Sequence, residues 1–463
     1  MDEQPQDMLW VHRVRAIRGA SHGEMLGLNF ESYKSLLTPD GFVLLFDQAL
    51  HPIQPANLFL YDRCYAPNRA GKWQNTQAAY ADDLAQWWTF LRVNDLRWEE
   101  ITSEDIGTYA SVLASAISPK TCRRLDPGTI SRRVGTVEQF YGWAYANGLV
   151  QKNPAASRER KDRHVAHDRN ALAHVGGIRV PKRSVNRTKR GDPDEHVNPI
   201  STGDLALILN RLGASPYNRN DDDARPQRDR LIAETALYTG MRVEEVVGLK
   251  SHQILDLRNE VDSSDPWKPV LMKITVTKGG SPRKVVLPSF LLQALLTYID
   301  TERATVFAAA TARRVTRRQS SGLFLNGVHS NARDIANPVT EDTVMRAFTA
   351  AVKGCGLRRT IEVYELDQAT GQPQLSEDGS LIEVLRTITK HTFHDLRHTF
   401  AVLFYKSEII RGNPAPIKKL QARLGHRWMS TTEKIYLAHV ESDEHELTDE
   451  FARLLRSELD ALS

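Results

Sequence analysis

Two arginines, two histidines, a lysine and a tyrosine are spread over four short motifs in the second half of the chain. These residues are Arg242, Lys278, His394, Arg397, His426 and Tyr436. Guanidinium groups can bind the nonbridging oxygens of a phosphate, and imidazoles can move protons near neutral pH. A tyrosine surrounded by such cations becomes a competent nucleophile, and a lysine can protonate a departing oxygen. The residue types together predict attack on a phosphodiester through a covalent phosphotyrosine.

The first two motifs supply one arginine and the lysine. In the run TGMR that ends at Arg242, Gly240 permits a tight turn, and Glu245 follows three residues after Arg242. On a following helix, the i, i+3 spacing lets the Glu245 carboxylate hold the guanidinium, although such a pair taken alone is usually an ordinary surface ion pair. Lys278 stands in the turn of a predicted β-hairpin. A lysine there can enter a DNA groove and donate a proton, although most turn lysines are simply exposed.

The third motif places His394 and Arg397 at i, i+3 on one predicted helix, so that an imidazole and a guanidinium share a face. The same segment, read from His394 to His398, has the ligand spacing of a zinc-protease helix. That alternative needs a glutamate where Asp395 stands, and it puts the permanent cation of Arg397 between the two ligands. The motif therefore favours phosphate chemistry over a metal site.

The fourth motif is Leu-Gly-His at residues 424–426, and Tyr436 follows His426 by ten residues. Gly425 predicts the end of one helix, and a Ser-Thr-Thr run predicts the start of the next, which carries Tyr436. A single tyrosine in an amphipathic helix is usually a core or interface residue. The case for Tyr436 as the nucleophile therefore depends on the other five residues.

Motifs for nucleotide-dependent or metal-dependent DNA chemistry are missing from the sequence. It contains no Gly-rich phosphate loop of the Walker type. The acidic run DDD at residues 221–223 is interpreted as a solvated loop rather than a magnesium site. Exchange of a phosphodiester for a phosphotyrosine is roughly energy-neutral, so resealing needs no ATP. We therefore expect neither a metal nor another cofactor.

Apolar periodicity predicts two folded domains, and a mainly α fold with a small β-hairpin or sheet (α+β). Residues 72–155 predict a small all-helical domain, in which Ala78, Leu84 and Leu91 recur at helical spacing. Two further helices of this domain are predicted to start at Thr102 and Asp126. Residues 199–445 predict a catalytic domain of helices with one β-hairpin. A second hairpin is expected as an insertion between residues 359 and 392.

Three further segments flank or connect these domains. The sequence predicts no role for residues 1–71. Residues 156–198 predict a basic interdomain linker, because they contain many Lys and Arg but few large apolar residues. Residues 446–463 predict a helical tail.

Basic residues of the helical domain cluster near predicted helix starts, where they could meet DNA phosphates. They are Lys120, Arg123, Arg124, Arg132 and Arg133. The basic linker could also lie along a DNA backbone, since each phosphate contact adds salt-dependent affinity. The simpler alternatives are a solvated helical face and a flexible spacer with no part in binding.

Length and composition exclude several classes of protein. A chain of 463 residues with 41% hydrophobic content can bury large cores and is expected to form two or three domains. Cys64, Cys122 and Cys355 are too scattered for a disulfide framework. No apolar run reaches the roughly 18 residues of a membrane span, and the N-terminus lacks the order of a signal peptide. We therefore expect a soluble, cytoplasmic protein, whose net charge of +4 is by itself only a weak sign of DNA binding.

In order and spacing, the four motifs resemble those of the tyrosine recombinase, or phage integrase, family. The matching residues are Arg242, Glu245, Lys278, His394, Arg397, His426 and Tyr436, within about residues 200–445. Each motif is weak alone, but their joint order is specific. The resemblance implies that Tyr436 attacks a scissile phosphate which the other five catalytic residues surround.

The resemblance also implies how such a protein meets DNA. The helical and catalytic domains would form a C-shaped clamp on the duplex, and four protomers would exchange strands between two sites through a Holliday junction. The expected function is integration, excision or transposition of a mobile element, with an accessory protein or a sister recombinase as a further partner. In such assemblies the tail after the nucleophile often docks on a neighbouring protomer, so residues 446–463 are a candidate for that contact. The hairpin expected between residues 359 and 392 is longer than the compact connection of the family pattern, and the first 70 residues have no clear counterpart in it.

Two other functions share parts of this pattern. A type IB topoisomerase uses similar residues but relaxes supercoils as a monomer, and a DNA-binding regulator could keep the fold without catalysis. The helical domain and the basic linker favour recombination over relaxation. The complete set of catalytic residue types argues against an inactive regulator.

Overall fold

The structure, a computed structural model, divides into two compact units. The first unit comprises Met1–Gly191 with Glu362–Val384, and the second comprises Asp192–Ile361 with Leu385–Ser463. The structure describes residues 11–15, 41–64, 73–155, 198–217, 223–274, 283–313, 320–367 and 370–425. The described residues form mainly α-helices with short antiparallel strand pairs, which confirms the predicted fold class. Among them, no helix combines the length and the apolar character that a membrane span requires.

The described part of the first unit contains a two-stranded antiparallel sheet and four α-helices. Strands β1 (Val11–Arg15) and β2 (Val43–Asp47) pair antiparallel. The helices are α1 (Gln54–Cys64), α2 (Gln74–Val93), α3 (Ser103–Ser115) and α4 (Pro127–Ala146). Thr102 and Asp105 form a capping box at the start of α3, and the Asp126 side chain accepts two backbone N–H groups at the start of α4. Local capping thus places α3 and α4 where the sequence predicts them.

The sheet of β1 and β2 shares one hydrophobic core with these helices. Leu44 and Leu45 of β2 belong to the same buried cluster as Trp87 of α2 and Phe140 of α4. Removing the apolar β2 segment from water is favourable, and the helices offer the adjoining apolar surface. The boundary expected at residue 72 therefore does not coincide with a break in the core, because described residues on both sides of it pack together.

Two buried amide side chains tie β2 to the helices. Gln77 of α2 accepts the backbone N–H of Val43 at 3.0 Å and donates to its carbonyl at 2.7 Å. Asn57 of α1 does the same for Leu45, at 2.8 Å and 2.9 Å. A two-stranded sheet leaves polar backbone groups along its outer edges, and burial would leave those groups unpaired. The amides occupy the place that a third strand would take.

The second unit contains most of the described helices. They are α5 (Thr202–Leu212), α6 (Arg228–Thr239), α7 (Val243–Val247), α8 (Ser251–Leu255), α9 (Ser289–Tyr298), α10 (Ala304–Ala312), α11 (Glu341–Gly354), α12 (Phe393–Ile410) and α13 (Pro416–Leu424). A π-helical segment, Ile299–Arg303, joins α9 to α10. Strands β3 (Pro269–Ile274) and β4 (Arg283–Pro288) pair antiparallel, with Ile274 opposite Arg283. This pair confirms the predicted hairpin, whose turn lies outside the described residues.

Helix α6 lies inside the second unit, where every residue from Arg230 to Thr239 is buried. Its two buried charges neutralise each other, because Arg230 Nε lies 2.9 Å from Glu234 Oε1. The Tyr217 hydroxyl donates to the other Glu234 oxygen at 2.6 Å. A helix enclosed on all sides is held in place by packing. Its C-terminus therefore gives a fixed starting point for the loop that carries Arg242.

The predicted insertion is a hairpin of β5 (Arg358–Tyr364) and β6 (Glu383–Thr389). Its central part, Glu362–Val384, belongs to the first unit. There the backbone N–H of Tyr364 donates to the Cys122 carbonyl at 2.7 Å. The insertion is confirmed as a hairpin, and most of its length packs outside the unit that contains the predicted catalytic motifs.

Candidate active site

The loop that carries Arg242 is shaped by a glycine at the end of α6. Gly240 has φ = +66°, a left-handed conformation that glycine adopts without strain. A Cβ at this position would lie 2.4 Å from Cδ1 of Phe400 on α12 and 3.2 Å from Cδ2 of Leu424 on α13. Glycine is therefore required both for the turn and for the close approach of this loop to α12 and α13.

Arg242 lies immediately before α7, and not on it as the i, i+3 spacing predicts. The Glu245 carboxylate accepts the backbone N–H of Arg242 at 2.9 Å, and its Oε1 lies 3.6 Å from Arg242 Nη1. The Glu245 side chain is 1% exposed, whereas that of Arg242 is 24% exposed. The predicted pair is thus present, but Glu245 holds the backbone of Arg242 more closely than its guanidinium. The guanidinium remains accessible to a ligand from solvent.

Arg397 joins this loop to the end of α13. It lies on α12 and is 2% exposed. Its Nη1 donates a hydrogen bond to the Gly240 carbonyl, and its Nη2 donates to the Leu424 carbonyl at 2.8 Å. Leu424 is the last residue of α13, two positions before His426. The segments that carry or precede three of the predicted motifs therefore meet at one guanidinium.

His394 lies one turn before Arg397 on α12, as the spacing predicts. It is exposed, whereas Arg397 and His398 are buried. The rings of His394 and His398 are 4.6 Å apart and nearly perpendicular, at 83°. An exposed imidazole thus lies one helical turn before a buried guanidinium.

Asp395 has a role in capping α12. Its carboxylate accepts the backbone N–H of Thr392 at 2.8 Å and lies 3.4 Å from the Asn198 amide nitrogen. Burial raises the pKa of Asp395, although the hydrogen bonds from Thr392 and the nearby His391 oppose that rise. The buried His391 is itself bound to Asp204 at 3.0 Å. Asp395 therefore anchors the start of the helix, and no cluster of three metal-ligating side chains is found among the described residues.

Arg283 completes the cluster, although the sequence motifs do not include it. Its Nη2 lies 2.7 Å from Glu245 Oε2, and its Nη1 donates to the Arg423 carbonyl. Side chains alternate between the two faces of a strand, so Arg283 shares a face of β4 with Val285 and Leu287, which are both buried. That alternation is visible in the sequence and indicates that Arg283 points inward.

Lys278, His426 and Tyr436 lie outside the described residues. So do the predicted tail at 446–463 and nearly all of the basic linker. Their described neighbours are Ile274 and Arg283, which flank the turn with Lys278, and Gly425, which ends α13 with φ = +66°. The roles of these three residues stay predictions.

The basic residues expected to meet DNA differ in their surroundings. Lys120, Arg123 and Arg124 are exposed. Arg132 and Arg133 both approach the fully buried Asp83, where Arg132 Nη1 pairs with Oδ2 and Arg133 Nε lies 4.0 Å from Oδ1. Burial raises the pKa of Asp83, while the Thr136 hydroxyl, at 2.8 Å, and both arginines oppose the rise. Both arginines therefore help to balance a buried carboxylate in the first unit, and their positive charge is not wholly available to DNA.

Comparison with known proteins places both predicted domains in one family. Residues 214–443 match the model of the phage integrase family, and residues 70–148 match its N-terminal SAM-like domain. A tyrosine recombinase of Pseudothermotoga lettingae is 21% identical over 369 residues, which cover 80% of this chain and 89% of that protein. The tyrosine recombinase XerC of Mycobacterium bovis is 25% identical over 337 residues, covering 71% of this chain and 88% of that one.

Two solved structures show weaker similarity. A lambda integrase dimer bound to a COC′ core site has a TM-score of 0.44 and 16% identity, over 84% of this chain and 79% of that chain. The XerH site-specific recombinase bound to a palindromic difH substrate has a TM-score of 0.43 and 16% identity, over 86% and 83%. The family models, by contrast, fall on the predicted helical and catalytic regions, and the phage integrase model covers all six predicted catalytic residues. The chain therefore belongs to the tyrosine recombinase, or phage integrase, family.

Proposed function

We propose that the protein is a site-specific DNA recombinase, which cleaves and rejoins DNA strands during integration, excision or transposition of a mobile element. The observation that carries the proposal is the pair of hydrogen bonds from Arg397 to the Gly240 and Leu424 carbonyls. Through them, the loop before Arg242, the helix with His394 and the chain before His426 share one point. A phosphate bound there would meet guanidinium and imidazole groups from separate motifs.

In the proposed cleavage step, the phenolic oxygen of Tyr436 attacks the scissile phosphorus and forms a 3′-phosphotyrosine. The bond from phosphorus to the 5′ oxygen breaks, and Lys278 gives this oxygen a proton. An imidazole, from His394 or His426, takes the phenolic proton. In the rejoining step, a 5′ hydroxyl from another strand attacks the phosphotyrosine and releases Tyr436. One ester replaces another in each step, so the reaction needs no nucleotide.

Arg242 and Arg397 would stabilise the negative charge that develops on the nonbridging oxygens. Arg397 is oriented before any substrate binds, because two neutral carbonyls fix the plane of its guanidinium. Arg242 is fixed at its backbone by Glu245. Groups that need no reorganisation during the reaction stabilise a transition state more than mobile groups do.

We further propose that both units bind the recombination site, and that the protein assembles as a tetramer on DNA with its tail contacting a neighbour. The exposed Lys120, Arg123 and Arg124 and the basic linker would supply contacts to phosphates. An accessory protein or sister recombinase would complete the assembly. A recombinase that acts on intracellular DNA would be located in the cytoplasm, as the sequence predicts.

The test uses a plasmid with two copies of a duplex that the full-length protein has selected from a random-sequence library. Recombination predicts deletion or inversion of the DNA between the copies, and Tyr436→Phe should abolish both products. A type IB topoisomerase would instead relax supercoiled plasmids that lack the selected duplex, and it would join nothing. A DNA-binding regulator would retain the duplex in a gel shift without changing any strand. Either of these outcomes would contradict the proposal.

A further inference from the structure

Arg283 connects three segments of the second unit that carry or precede predicted catalytic residues. It is the first residue of β4 and follows Lys278 by five positions. Its Nη2 lies 2.7 Å from Glu245 Oε2, next to Arg242, and its Nη1 donates to the Arg423 carbonyl near the end of α13. The β3–β4 hairpin, helix α7 and the end of α13 therefore meet at this side chain.

Glu245 links Arg283 to Arg242. The Glu245 carboxylate is 1% exposed, and its Oε2 accepts hydrogen bonds from the Arg283 guanidinium and from the Arg242 backbone N–H. Its Oε1 has no hydrogen-bond partner within the described part of the chain and lies 3.6 Å from Arg242 Nη1. A buried carboxylate that loses a cationic partner is strongly disfavoured. Weakening the contact with Arg283 is therefore expected to move Glu245, and Arg242 with it.

Arg283 also lies against the end of α13. A Cβ on Gly425 would be 2.6 Å from Arg283 Cδ and 2.9 Å from its Nε. Arg283 binds the Arg423 carbonyl, while Arg397 binds the Leu424 carbonyl. Two cations thus bind the last carbonyls of the helix, where the helix dipole is negative. The last two residues of the helix, which precede Gly425, are therefore each bound to one of these guanidiniums.

We propose that Arg283 is a positioning residue for DNA cleavage, which fixes Arg242 through Glu245 and fixes the chain before His426 through the Arg423 carbonyl. The inference rests on the proposed recombinase function. The Arg283 side chain is 13% exposed, and its two Nη atoms are bound to acceptors in the protein. This arrangement suits the orientation of other groups, whereas the more exposed Arg242 suits contact with the phosphate.

The substitution Arg283→Lys tests this role, because lysine keeps the charge but lacks the planar fork that binds two acceptors at once. The full-length variant is given the selected duplex with a nick beside the cleavage site, and covalent protein–DNA product is measured in a single turnover. We expect the rate constant to fall about 10- to 100-fold, as is common for residues that orient a catalytic group. DNA affinity and the fraction of DNA finally cleaved should stay unchanged.

Arg258→Lys is the matched control in the same unit. Arg258 Nη2 binds both carboxylate oxygens of Asp300, at 3.0 Å and 3.1 Å, but both side chains are about half exposed. The same chemical exchange there removes a surface pair, and such pairs contribute little. This variant should cleave at the wild-type rate.

A double variant tests the route through Glu245. If Arg283 acts on Arg242 by way of Glu245, then Arg283→Lys and Glu245→Gln together should lose less than the product of the two single losses, because both variants break the linkage through Glu245. Losses that multiply would contradict this route.

Three further outcomes would overturn the inference. Wild-type cleavage by Arg283→Lys would remove any positioning role. Weaker DNA binding at an unchanged rate would make Arg283 a DNA contact, and a smaller cleaved fraction at an unchanged rate would make it structural only. If the wild-type protein forms no covalent product, the recombinase function itself is contradicted, and this inference fails with it.

Discussion

Arg397 is almost fully enclosed, so its replacement removes two internal hydrogen bonds together with the positive charge that we propose stabilises the phosphate. We predict that Arg397→Ala slows cleavage by about 10²- to 10³-fold, the range seen when one donor to a developing oxyanion is removed. His426→Ala should have the smaller effect, because a proton donor or phosphate ligand is partly replaceable. Single-turnover cleavage of the nicked duplex by both variants gives the ranking, and a larger deficit for His426→Ala would reverse it.

The loss of Arg397 also leaves the Gly240 and Leu424 carbonyls without this donor, which is expected to cost about 1–3 kcal/mol of stability. Rate constants are therefore compared only at temperatures where denaturant unfolding shows the Arg397→Ala variant to be folded. Arg258→Ala, which breaks an exposed pair, serves as the control for the loss of an arginine.

Lys278 can be tested by changing the leaving atom of the DNA. A thiol has a pKa of about 8.5, so a bridging sulfur at the 5′ position leaves without a donated proton, unlike the natural oxygen. We predict that Lys278→Ala cleaves the oxygen substrate about 10²-fold more slowly or worse, and that the sulfur substrate restores most of the rate. Arg397→Ala should gain no such rescue, since its role concerns the nonbridging oxygens. Equal slowness of Lys278→Ala on both substrates would rule out the lysine as the proton donor.

At the residue scale, spacing in the sequence predicted that His394 and Arg397 lie on one helix, but not which groups hold them in place. Both residues lie on α12, about one helical turn apart, because three positions separate them in the sequence. The carbonyl that binds Arg397 belongs to Gly240, which lies 157 positions away in sequence, and no local pattern indicates that contact. The motifs did not identify Arg283, because a charged residue at the start of a strand is usually exposed. Its alternate neighbours on β4, Val285 and Leu287, are buried, and this pattern indicates that Arg283 points inward.

At the scale of elements, the turn at Gly240 determines how closely α6 approaches α12. Gly240→Ala introduces a left-handed alanine and a Cβ only 2.4 Å from Phe400. Gly356 is a matched control, because its φ is +71° but nothing lies within 4 Å of its Cβ position. We predict that Gly240→Ala loses about 1–3 kcal/mol more unfolding free energy than Gly356→Ala, as expected for overpacking. Equal losses in denaturant unfolding would show that the close approach is not a constraint.

The elements predicted from sequence were those with local signals. The caps at Thr102 and Asp126 and the alternating strands β3 and β4 depend on neighbouring residues, so the sequence predicts them directly. The docking of β2 depends on Asn57 and Gln77, which lie 12 and 34 positions away from their partners. A buried amide has no periodicity of its own, and this is why the N-terminal segment had no predicted place.

At the scale of the whole molecule, the basic linker gives a prediction about affinity. If it lies along DNA, replacing Arg158, Arg160, Lys161 and Arg163 by Gln should reduce the slope of log K against log salt by about 0.9 for each phosphate that the variant no longer neutralises. Arg346→Gln is the control, because Arg346 already pairs with Asp342 at 3.0 Å on the surface. Binding of the selected duplex is measured over a range of salt concentrations. An unchanged slope would show that this part of the linker acts only as a spacer.

In the proposed mechanism, recombination by the whole molecule requires that Tyr436 becomes covalently bound to DNA. Peptide mass spectrometry of the covalent product that the wild-type protein forms with the nicked, selected duplex detects this bond directly. We predict a nucleotide attached to the peptide that contains Tyr436, and no covalent product from Tyr436→Phe. An equally abundant covalent product from Tyr436→Phe, or a nucleotide attached to a different peptide, would contradict the assignment of Tyr436 as the nucleophile.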